Sequence, residues 1–325
     1  MEVTMSFDIL WFAFHILIFP GLLFIVVMGV LLMGINNKMV ARMQNRVGPP
    51  ILQPWYDFLK CCGKETIIPR RAQKFVFIGA PILGFAVLIT AALFIPFGGS
   101  SVLSSTGDIV VILYLLTFCS VMSIVGAAAS GSPYAGVGLS REMVAMIAYE
   151  LPFVLVLLAV GKLAGSDSAQ GVTFSLATIT EWQTAHLPVI CHISMIPAAI
   201  AMLFVIPCEI GMHPFDIAEA ETELCEGTLT EYSGAPLGVY KLTHCVKVYV
   251  MTALFTALFM GGITTGMVVV DVLIKILVCL VVTFLSMTLP HAVCARFKVE
   301  QVFKFYWTFV SALALISLVL VWIGL

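Results

Sequence analysis

Charged residues are scarce in this sequence. Only 10% of its 325 residues are Asp, Glu, Lys or Arg, whereas 61% are hydrophobic. Soluble domains carry about 25% charged residues, and a buried core cannot explain so wide a deficit. We therefore expect an all-α integral membrane protein. The net charge of −2 gives no indication of nucleic-acid binding.

Metal-binding spacing is also absent from the nine cysteines. They are scattered singly apart from the neighbours Cys61 and Cys62, with no C-x-x-C pair and no Cys/His ligand pattern. We expect no iron–sulfur cluster, no zinc ion and no other cofactor in this chain, and most thiols to be small buried apolar residues. A secretory signal peptide is not indicated either, because the first apolar run has no basic start and no small-residue cleavage site.

Long hydrophobic runs dominate the sequence instead. Eight windows of about 20 apolar residues predict eight transmembrane helices in a single polytopic domain, residues 1–325. The windows cover residues 8–34, 75–97, 108–129, 143–164, 188–210, 242–267, 271–290 and 303–324. No internal repeat is evident, which argues against an inverted-repeat transporter.

Lys and Arg are distributed unevenly between the two ends of these helices. One side carries fourteen of the sixteen: Lys38, Arg42, Arg46, Lys60, Lys64, Arg70, Arg71, Lys74, Arg141, Lys241, Lys247, Arg296, Lys298 and Lys304. The other side carries Lys162 and Lys275. Because cytoplasmic connections are enriched in Lys and Arg, we expect the basic side to be cytoplasmic and both termini to face outward.

Residues 51–62 predict a short amphipathic helix after the first span. One face collects its apolar residues: Ile51, Leu52, Trp55, Phe58, Leu59 and Cys62. Gln53, Asp57 and Lys60 fall off that face, and Pro54 suits a first turn. At about a dozen residues the helix is too short to span a bilayer. We expect it to lie on the membrane surface or against a partner.

One segment has no Lys or Arg but seven carboxylates: Glu209, Asp216, Glu219, Glu221, Glu223, Glu226 and Glu231. Ionised groups at a membrane boundary are costly unless paired or hydrated, so this segment indicates an ion pathway or a docking surface. Residues 211–241 would form an acidic cytoplasmic loop. If the loop is helical, four of its carboxylates form one stripe: Asp216, Glu219, Glu223 and Glu226. A solvated face neutralised by the basic first loop is the alternative.

Two further carboxylates share one face of the helix predicted from residue 143. Glu142 and Glu150 lie two turns apart, roughly 12 Å by helical rise. Pro152 cannot donate to the carbonyl of Ala148, which leaves an acceptor for water beside Glu150. An intramembrane carboxylate suggests proton or ion exchange. A simple pairing of Glu150 with a neighbouring helix is the alternative.

The next helices repeat this pattern of polar groups within apolar spans. Pro207 precedes Glu209 by two residues, again a proline beside a carboxylate. His192 lies nearer the outer end of the same helix, and the simpler interpretation of this histidine is a buried core residue. The following helix opens with three basic residues at i, i+3 and i+6: Lys241, His244 and Lys247. They would extend a polar path inward or lie at headgroup level. We favour the second interpretation for Lys247.

Ordered motifs along the chain resemble one family. They are residues 43–50 with 52–54, residues 141–150, residues 214–224 and residues 231–234. They resemble the H subunit of respiratory complex I and its relatives in energy-converting nickel–iron hydrogenases and formate hydrogenlyases. The match covers nearly the whole chain in the right order. The stretch P-F-D-x-A-E-x-E-x-E-L, followed by E-Y-S-G, is highly specific.

The resemblance implies eight tilted helices with a surface helix after the first, in a non-catalytic subunit that anchors soluble redox subunits to the membrane. In complex I, this subunit helps to form the quinone chamber and begins an acidic channel toward antiporter-like subunits. The positions that match the channel are Glu150, Glu209, Asp216, Glu219, Glu221 and Glu223, and the expected ion pathway also includes Glu142, Lys241 and His244. Arg46 matches the family's loop arginine. The expected surface for partner subunits comprises Arg46, Gln53, Asp57, Arg141, Glu226 and Glu231.

Departures from the complex I pattern favour the hydrogenase branch and argue against a working quinone site. Residues 48–57 are contracted, Met212 replaces an arginine, and His244 replaces a glutamate. We therefore expect the ion-coupling subunit of an energy-converting hydrogenase in a prokaryotic inner membrane.

Its expected partners are the hydrogenase large and small subunits, which would hold a nickel–iron centre and iron–sulfur clusters, and antiporter-like membrane subunits. Ferredoxin, carbon monoxide oxidation or formate would supply the electrons, and H⁺ or Na⁺ would move. A quinone-site subunit of a complex I-like enzyme and a passive membrane anchor are the alternatives.

Overall fold

The computed structural model describes residues 14–97, 103, 107–166, 171–263 and 265–324. Within these ranges the regular secondary structure is helical, without strands. Eight of the described helices are long and apolar enough to cross a membrane. The predicted all-α membrane fold with eight spans is therefore confirmed.

Ten helices organise the described chain. They are α1 (Leu22–Met43), α2 (Gln53–Cys62), α3 (Lys74–Leu93), α4 (Asp108–Ser130), α5 (Pro133–Ala164), α6 (Leu176–Ala185), α7 (Ile196–Ile210), α8 (Gly234–Met260), α9 (Val268–Val293) and α10 (Val299–Ile323). Helices α2 and α6 are too short to span. Helices α9 and α10 each contain one π-helical turn, Phe284–Thr288 and Tyr306–Val310.

The predicted boundaries of three helices differ clearly from the structure. Helix α1 ends at Met43 instead of residue 34. Helix α5 begins at Pro133, ten residues before the predicted start, because proline fits a first helical turn and the polar residues after it continue the helix. Helix α8 covers Gly234–Met260 instead of 242–267. The acidic connection therefore ends at Ser233 rather than near residue 241. Residues 8–13 of the first predicted window lie outside the described part.

Helix α8 is the central element of the bundle and is almost entirely buried. It packs against α1, α2, α3, α7 and α9. Its threonines suit this position because their hydroxyls donate to carbonyls one turn earlier, as Thr252 does to Val248 at 2.9 Å. The buried Gln183 of α6 satisfies the end of α8: its amide nitrogen donates to the carbonyl of Leu258 and its amide oxygen accepts from Gly262.

The amphipathic helix α2 lies against the start of α8. Phe58 and Cys61 approach Gly238 of α8, while Trp55 and Leu59 are exposed. The helix forms within the predicted range 51–62, with Cys61 buried against α8 and Cys62 exposed. The helix uses one side for α8 and another for the surroundings.

The acidic segment between α7 and α8 does not form the predicted carboxylate stripe. Its only α-helical turn is Glu221–Leu224, which the left-handed backbone at Cys225 and Glu226 ends, and a 3-10 turn follows at Gly227–Leu229. Phe215 packs against Phe297 and Tyr306, which folds the segment back onto α10 and the loop before it. Of the four carboxylates of the predicted stripe, Glu223 is separated from the other three, which line one cavity.

Candidate functional site

A cavity of about 360 Å³ opens inside the end of the bundle that carries the basic connections. Helices α1 to α5, α7 and α8 contribute to its walls together with the acidic segment. Five carboxylates line it: Asp57, Glu142, Asp216, Glu219 and Glu226. We call it the acidic cavity. It brings together carboxylates that lie up to 169 positions apart in the sequence, from Asp57 to Glu226.

Three basic residues of α8 line the same cavity at increasing depth. Lys241 is exposed, His244 is half-buried and Lys247 is buried. In the wall formed by α2, the amide nitrogen of Gln53 donates to Asp57 Oδ1 at 2.9 Å. The polar side of α2 thus faces the acidic cavity, where the Asp57 carboxylate is hydrogen-bonded to Gln53.

Lys247 forms a buried ion pair with Glu209. Its Nζ lies 3.0 Å from Glu209 Oε1, and it donates to Ser120 Oγ at 2.8 Å and to the backbone carbonyl of Glu209 at 2.6 Å. Lys247 lies thirteen residues after Gly234, about 20 Å along α8. The prediction that Lys247 snorkels to the headgroups is wrong, because the side chain is 7% exposed and its ammonium is bound to Glu209 and Ser120 inside the protein.

Glu209 itself does not line the acidic cavity and is only 3% exposed. Glu209 interacts electrostatically with Tyr149 and Glu150 of α5. Glu142, two turns before Glu150 on the same helix, does line the cavity. Five of the expected pathway residues therefore line the cavity, namely Glu142, Asp216, Glu219, Lys241 and His244, whereas Glu209 and Glu150 lie outside its lining. The Lys247–Glu209 pair joins the cavity to Glu209.

Asp216 lies at the boundary between the acidic cavity and a basic groove of about 840 Å³. Arg296 donates to Asp216 Oδ2 at 3.0 Å, and His213 Nδ1 lies 3.5 Å from the same oxygen. The groove continues past Lys298 and Lys304 at the start of α10. A charge that arrives in this groove would act on the cavity through the Arg296–Asp216 pair.

Glu219 is a carboxylic acid whose proton is held unusually tightly. Burial, followed by the neighbouring carboxylates of Asp216 and Glu142, raises the pKa of Glu219 to about 8. At neutral pH the side chain is therefore mostly protonated and exchanges its proton near physiological pH. Such a group is suited to proton transfer.

Glu223 lies outside the acidic cavity, in contrast to Glu219. Arg141 NH1 donates to Glu223 Oε2 at 2.6 Å, and the Glu223 side chain is 62% exposed. The hydrogen bond and charge of Arg141 hold the pKa of Glu223 below its usual value. Glu231 is half-buried beyond the cavity lining, and the backbone of Glu221 opens the short helical turn.

Arg46 lines a separate pocket of about 430 Å³ with Asn37, Gly48, Pro49 and His291 among its walls. Its guanidinium donates to Gln44 within the exposed loop after α1. The five carboxylates of the acidic cavity do not line this pocket, although Asn37 borders both. Arg46 remains a predicted contact for partner subunits, next to the bundle end that holds the cavity.

No cluster of three or more His, Cys, Asp or Glu residues able to hold a metal ion occurs among the described residues. His192 packs its ring 5.6 Å from Trp182, close to the start of α7 and at the opposite end of that span from Glu209. It fits a core role and not a relay from the cavity.

Two residues of this site were not predicted correctly from the sequence. Ser120 was not identified as a candidate, and Lys247 was expected at headgroup level instead of in a buried ion pair. Ser120 is 2% exposed on α4, and its hydroxyl accepts from Lys247 while lying 3.5 Å from Glu209. The sequence feature that could have indicated a polar contact here is the pair of serines, Ser120 and Ser123, within a mostly apolar span. Asn36 of α1 has no role predicted from the sequence, yet it is fully buried and accepts from Thr288 at 2.7 Å.

The fold and the cavity define a class of protein: a polytopic helical membrane protein with an internal cluster of carboxylates and cations. The comparisons with known sequences give the family. The family model described as NADH dehydrogenase matches residues 15–322, so the chain belongs to that family.

Relatives come from both complex I and hydrogenase systems. The NADH-quinone oxidoreductase H subunit of Thermomicrobium roseum is 35% identical over 70% of this chain and 72% of the relative. Formate hydrogenlyase subunit 4 of Escherichia coli is 34% identical over 69% of this chain and 71% of the relative. Hydrogenase-4 component C of Escherichia coli is 34% identical over 69% of this chain and 68% of the relative.

A solved structure shares the fold over nearly the full length. It is a chain of the membrane-bound sulfane sulfur reductase, an archaeal respiratory membrane complex, with a TM-score of 0.84 and 28% identity over 92% of this chain and 96% of that chain. The chain is thus a membrane subunit of the type found in complex I-like and hydrogenase-type respiratory complexes.

Proposed function

We propose that this chain is the membrane-anchor and ion-coupling subunit of an energy-converting, membrane-bound nickel–iron hydrogenase complex. The observation that carries the proposal is the acidic cavity, where five carboxylates and three basic residues meet inside a transmembrane bundle. Buried ionisable groups in a membrane are costly, and they mark ion pathways when they face a hydrated cavity. Electron transfer would take place in partner subunits that hold a nickel–iron centre and iron–sulfur clusters.

The coupling would be electrostatic. A charge change in a partner subunit at the basic groove would loosen or tighten the Arg296–Asp216 pair. At an effective dielectric of about 20, one unit charge acts on another at 4 Å with about 4 kcal/mol. That energy is enough to move Glu219 between its protonated and ionised forms, since its pKa is already about 8. A proton or a sodium ion would then pass from the cavity toward Glu209 and Glu150.

The hydrogenase assignment is supported by the two hydrogenase relatives and by the motif departures at Met212 and His244. His244 lines the acidic cavity at a position where complex I carries a glutamate. Purification of the tagged native complex tests the assignment. We expect co-purification of a large subunit with two C-x-x-C pairs, together with bound nickel. A complex without nickel that contains no such subunit would contradict it.

The coupling role is tested with Glu142→Gln and Glu150→Gln in inverted membrane vesicles. We expect both variants to lose H⁺ or Na⁺ uptake, while hydrogenase activity with artificial dyes survives, because the substitution removes a charge without touching the redox centres. Glu181→Gln on α6, an exposed carboxylate that does not line the cavity, is the control. Full pumping in both variants would rule out the role.

A quinone-reducing complex is the second candidate, favoured by the NADH-quinone oxidoreductase relative from Thermomicrobium roseum. Its expected signature is a quinone-reductase activity that quinone-site inhibitors block. A passive anchor would instead retain pumping after the cavity carboxylates are neutralised and lose only complex assembly.

A further inference from the structure

Lys247 stands between the acidic cavity and Glu209. It lines the cavity together with Ser120, whereas Glu209 does not line it and is almost completely buried. Glu209 is in turn coupled electrostatically to Tyr149 and Glu150 of α5. A cation that moves from the cavity to Glu209 and on to Glu150 therefore meets the Lys247 ammonium first.

The surroundings of this ammonium resemble those of a bound cation. Three oxygen atoms lie within 3.0 Å of Lys247 Nζ: Glu209 Oε1, the backbone carbonyl of Glu209 and Ser120 Oγ. A carboxylate, a carbonyl and a hydroxyl are the oxygen ligands that proteins offer to small hard cations. The lysine thus supplies to Glu209 the charge that a transported ion would otherwise bring.

We infer that Lys247 is a tethered counter-cation that gates access to Glu209. In the structure the gate is closed, because the ammonium holds the Glu209 carboxylate in an ion pair at 3.0 Å. When a mobile cation enters from the cavity and binds Glu209, the ammonium leaves, so that one positive charge replaces another and no unpaired carboxylate is left in the membrane. The inference rests on the proposed coupling function and adds the residue that controls entry.

A second buried lysine provides a matched control. Lys275 of α9 is 8% exposed, against 7% for Lys247, and its Nζ donates to the backbone carbonyl of Pro96 at 3.2 Å. It does not line the acidic cavity. Lys247→Met and Lys275→Met therefore both remove a buried ammonium from a spanning helix, and only the first removes the partner of Glu209.

The two variants are compared in inverted vesicles that contain the intact complex, with cation uptake and electron transfer measured together. We expect Lys247→Met to lose cation uptake while dye-linked electron transfer is retained, and Lys275→Met to keep both. Lys247→Arg, which preserves the charge, should restore part of the uptake. Normal uptake in Lys247→Met would overturn the inference, even if Glu142→Gln abolishes uptake and so supports the proposed function.

A measurement on the unmodified complex keeps the inference testable if Lys247→Met does not assemble. A small acylating reagent is applied to resting and to turning-over vesicles, and modification of individual lysines is read by mass spectrometry. We expect modification of Lys247 to increase several-fold during turnover, because the gate opens and releases the ammonium, while Lys275 stays unchanged. Equal modification of Lys247 in both states would overturn the inference.

Discussion

Two carboxylates near the acidic cavity are neutralised in different ways. Glu209 is paired with the ammonium of Lys247 at 3.0 Å, so its charge is balanced within the protein. Glu219 instead keeps a proton, which its raised pKa of about 8 reflects. A fixed counter-ion and an exchangeable proton in the same region are what a controlled ion pathway needs.

The proton on Glu219 predicts a pH dependence of stability. Its folded pKa of about 8 lies above the ordinary value of 4.5, so between these values the native state binds more protons than the unfolded state. The contribution of Glu219 is fully present below pH 4.5 and is lost as pH rises through 8. We expect Glu219→Gln to flatten this decline when melting temperature is measured against pH.

The control for this titration is Glu223→Gln. Arg141 lowers the pKa of Glu223, so its contribution is present above the ordinary value and is lost as pH falls. This variant should change only the acid limb of the curve. Melting curves of wild type and Glu219→Gln that run parallel between pH 4.5 and 8 would contradict the account of Glu219.

The buried ion pair predicts strong coupling between two substitutions. Lys247→Met leaves the Glu209 carboxylate buried without a partner, and breaking a buried pair in this way costs about 3–5 kcal/mol. Lys247→Met combined with Glu209→Gln leaves no unpaired charge and should recover most of that loss. Unfolding free energies of the wild type, both single variants and the double variant measure this. A double variant no more stable than Lys247→Met would contradict the pairing.

Helix packing depends on close backbone contacts that the sequence indicates only indirectly. Gly29 of α1 faces α8, and a Cβ atom at this position would collide with the backbone at Cys245 and Val246. A Cβ atom added to Gly79 of α3 would instead meet no heavy atom within 4 Å. Two glycines in spanning helices thus have opposite steric surroundings.

We expect Gly29→Val to destabilise the bundle by about 1–3 kcal/mol or more, the usual cost of overpacking, because the obstructing atoms are backbone and cannot rotate away. Gly79→Val should have little effect. Thermal stability of the two variants in the same detergent measures the difference. Equal destabilisation would mean that a valine in the helix, and not the contact between α1 and α8, is responsible.

The hydrophobic pattern of the sequence predicted which segments form spanning helices better than it predicted the surroundings of individual charged side chains. All eight spans follow from runs of apolar residues, because only helices satisfy their backbone in a bilayer. The stripe of acids was wrong, because the Glu- and Ala-rich sequence favours a helix locally while Phe215 packing and the left-handed Cys225 and Glu226 bend the segment. Spacing also misplaced Lys247, since α8 is buried on nearly all sides and offers no surface for its ammonium.

The convergence of distant residues could be predicted only in part. Glu142, Asp216, Glu219, Lys241 and His244 were expected on one pathway, and all five line the acidic cavity. The contribution of Ser120 depends on how α4 packs beside α8: the serine pair Ser120 and Ser123 indicates a polar contact, but the sequence does not indicate its partner. Residue type thus identified the chemistry, whereas tertiary packing decided which groups meet.

The molecule as a whole places an acid-lined cavity at one end of a bundle whose family includes both quinone-linked and hydrogenase-linked relatives. The basic groove and the loop of Arg46 lie at the same end. This arrangement suits a subunit that receives a signal from soluble partners on one face and passes it into the membrane. The fold itself is shared with a chain of an archaeal respiratory membrane complex.

The number of cations moved per electron, measured in vesicles carrying Glu219→Gln or Glu223→Gln, tests the central claim most directly. The two residues are four positions apart in the sequence. Glu219 lines the acidic cavity, whereas Glu223 is exposed and forms an ion pair with Arg141. We expect Glu219→Gln to abolish cation movement and Glu223→Gln to preserve it, with electron transfer intact in both. Unchanged cation movement in Glu219→Gln would contradict the claim that the cavity is the ion route.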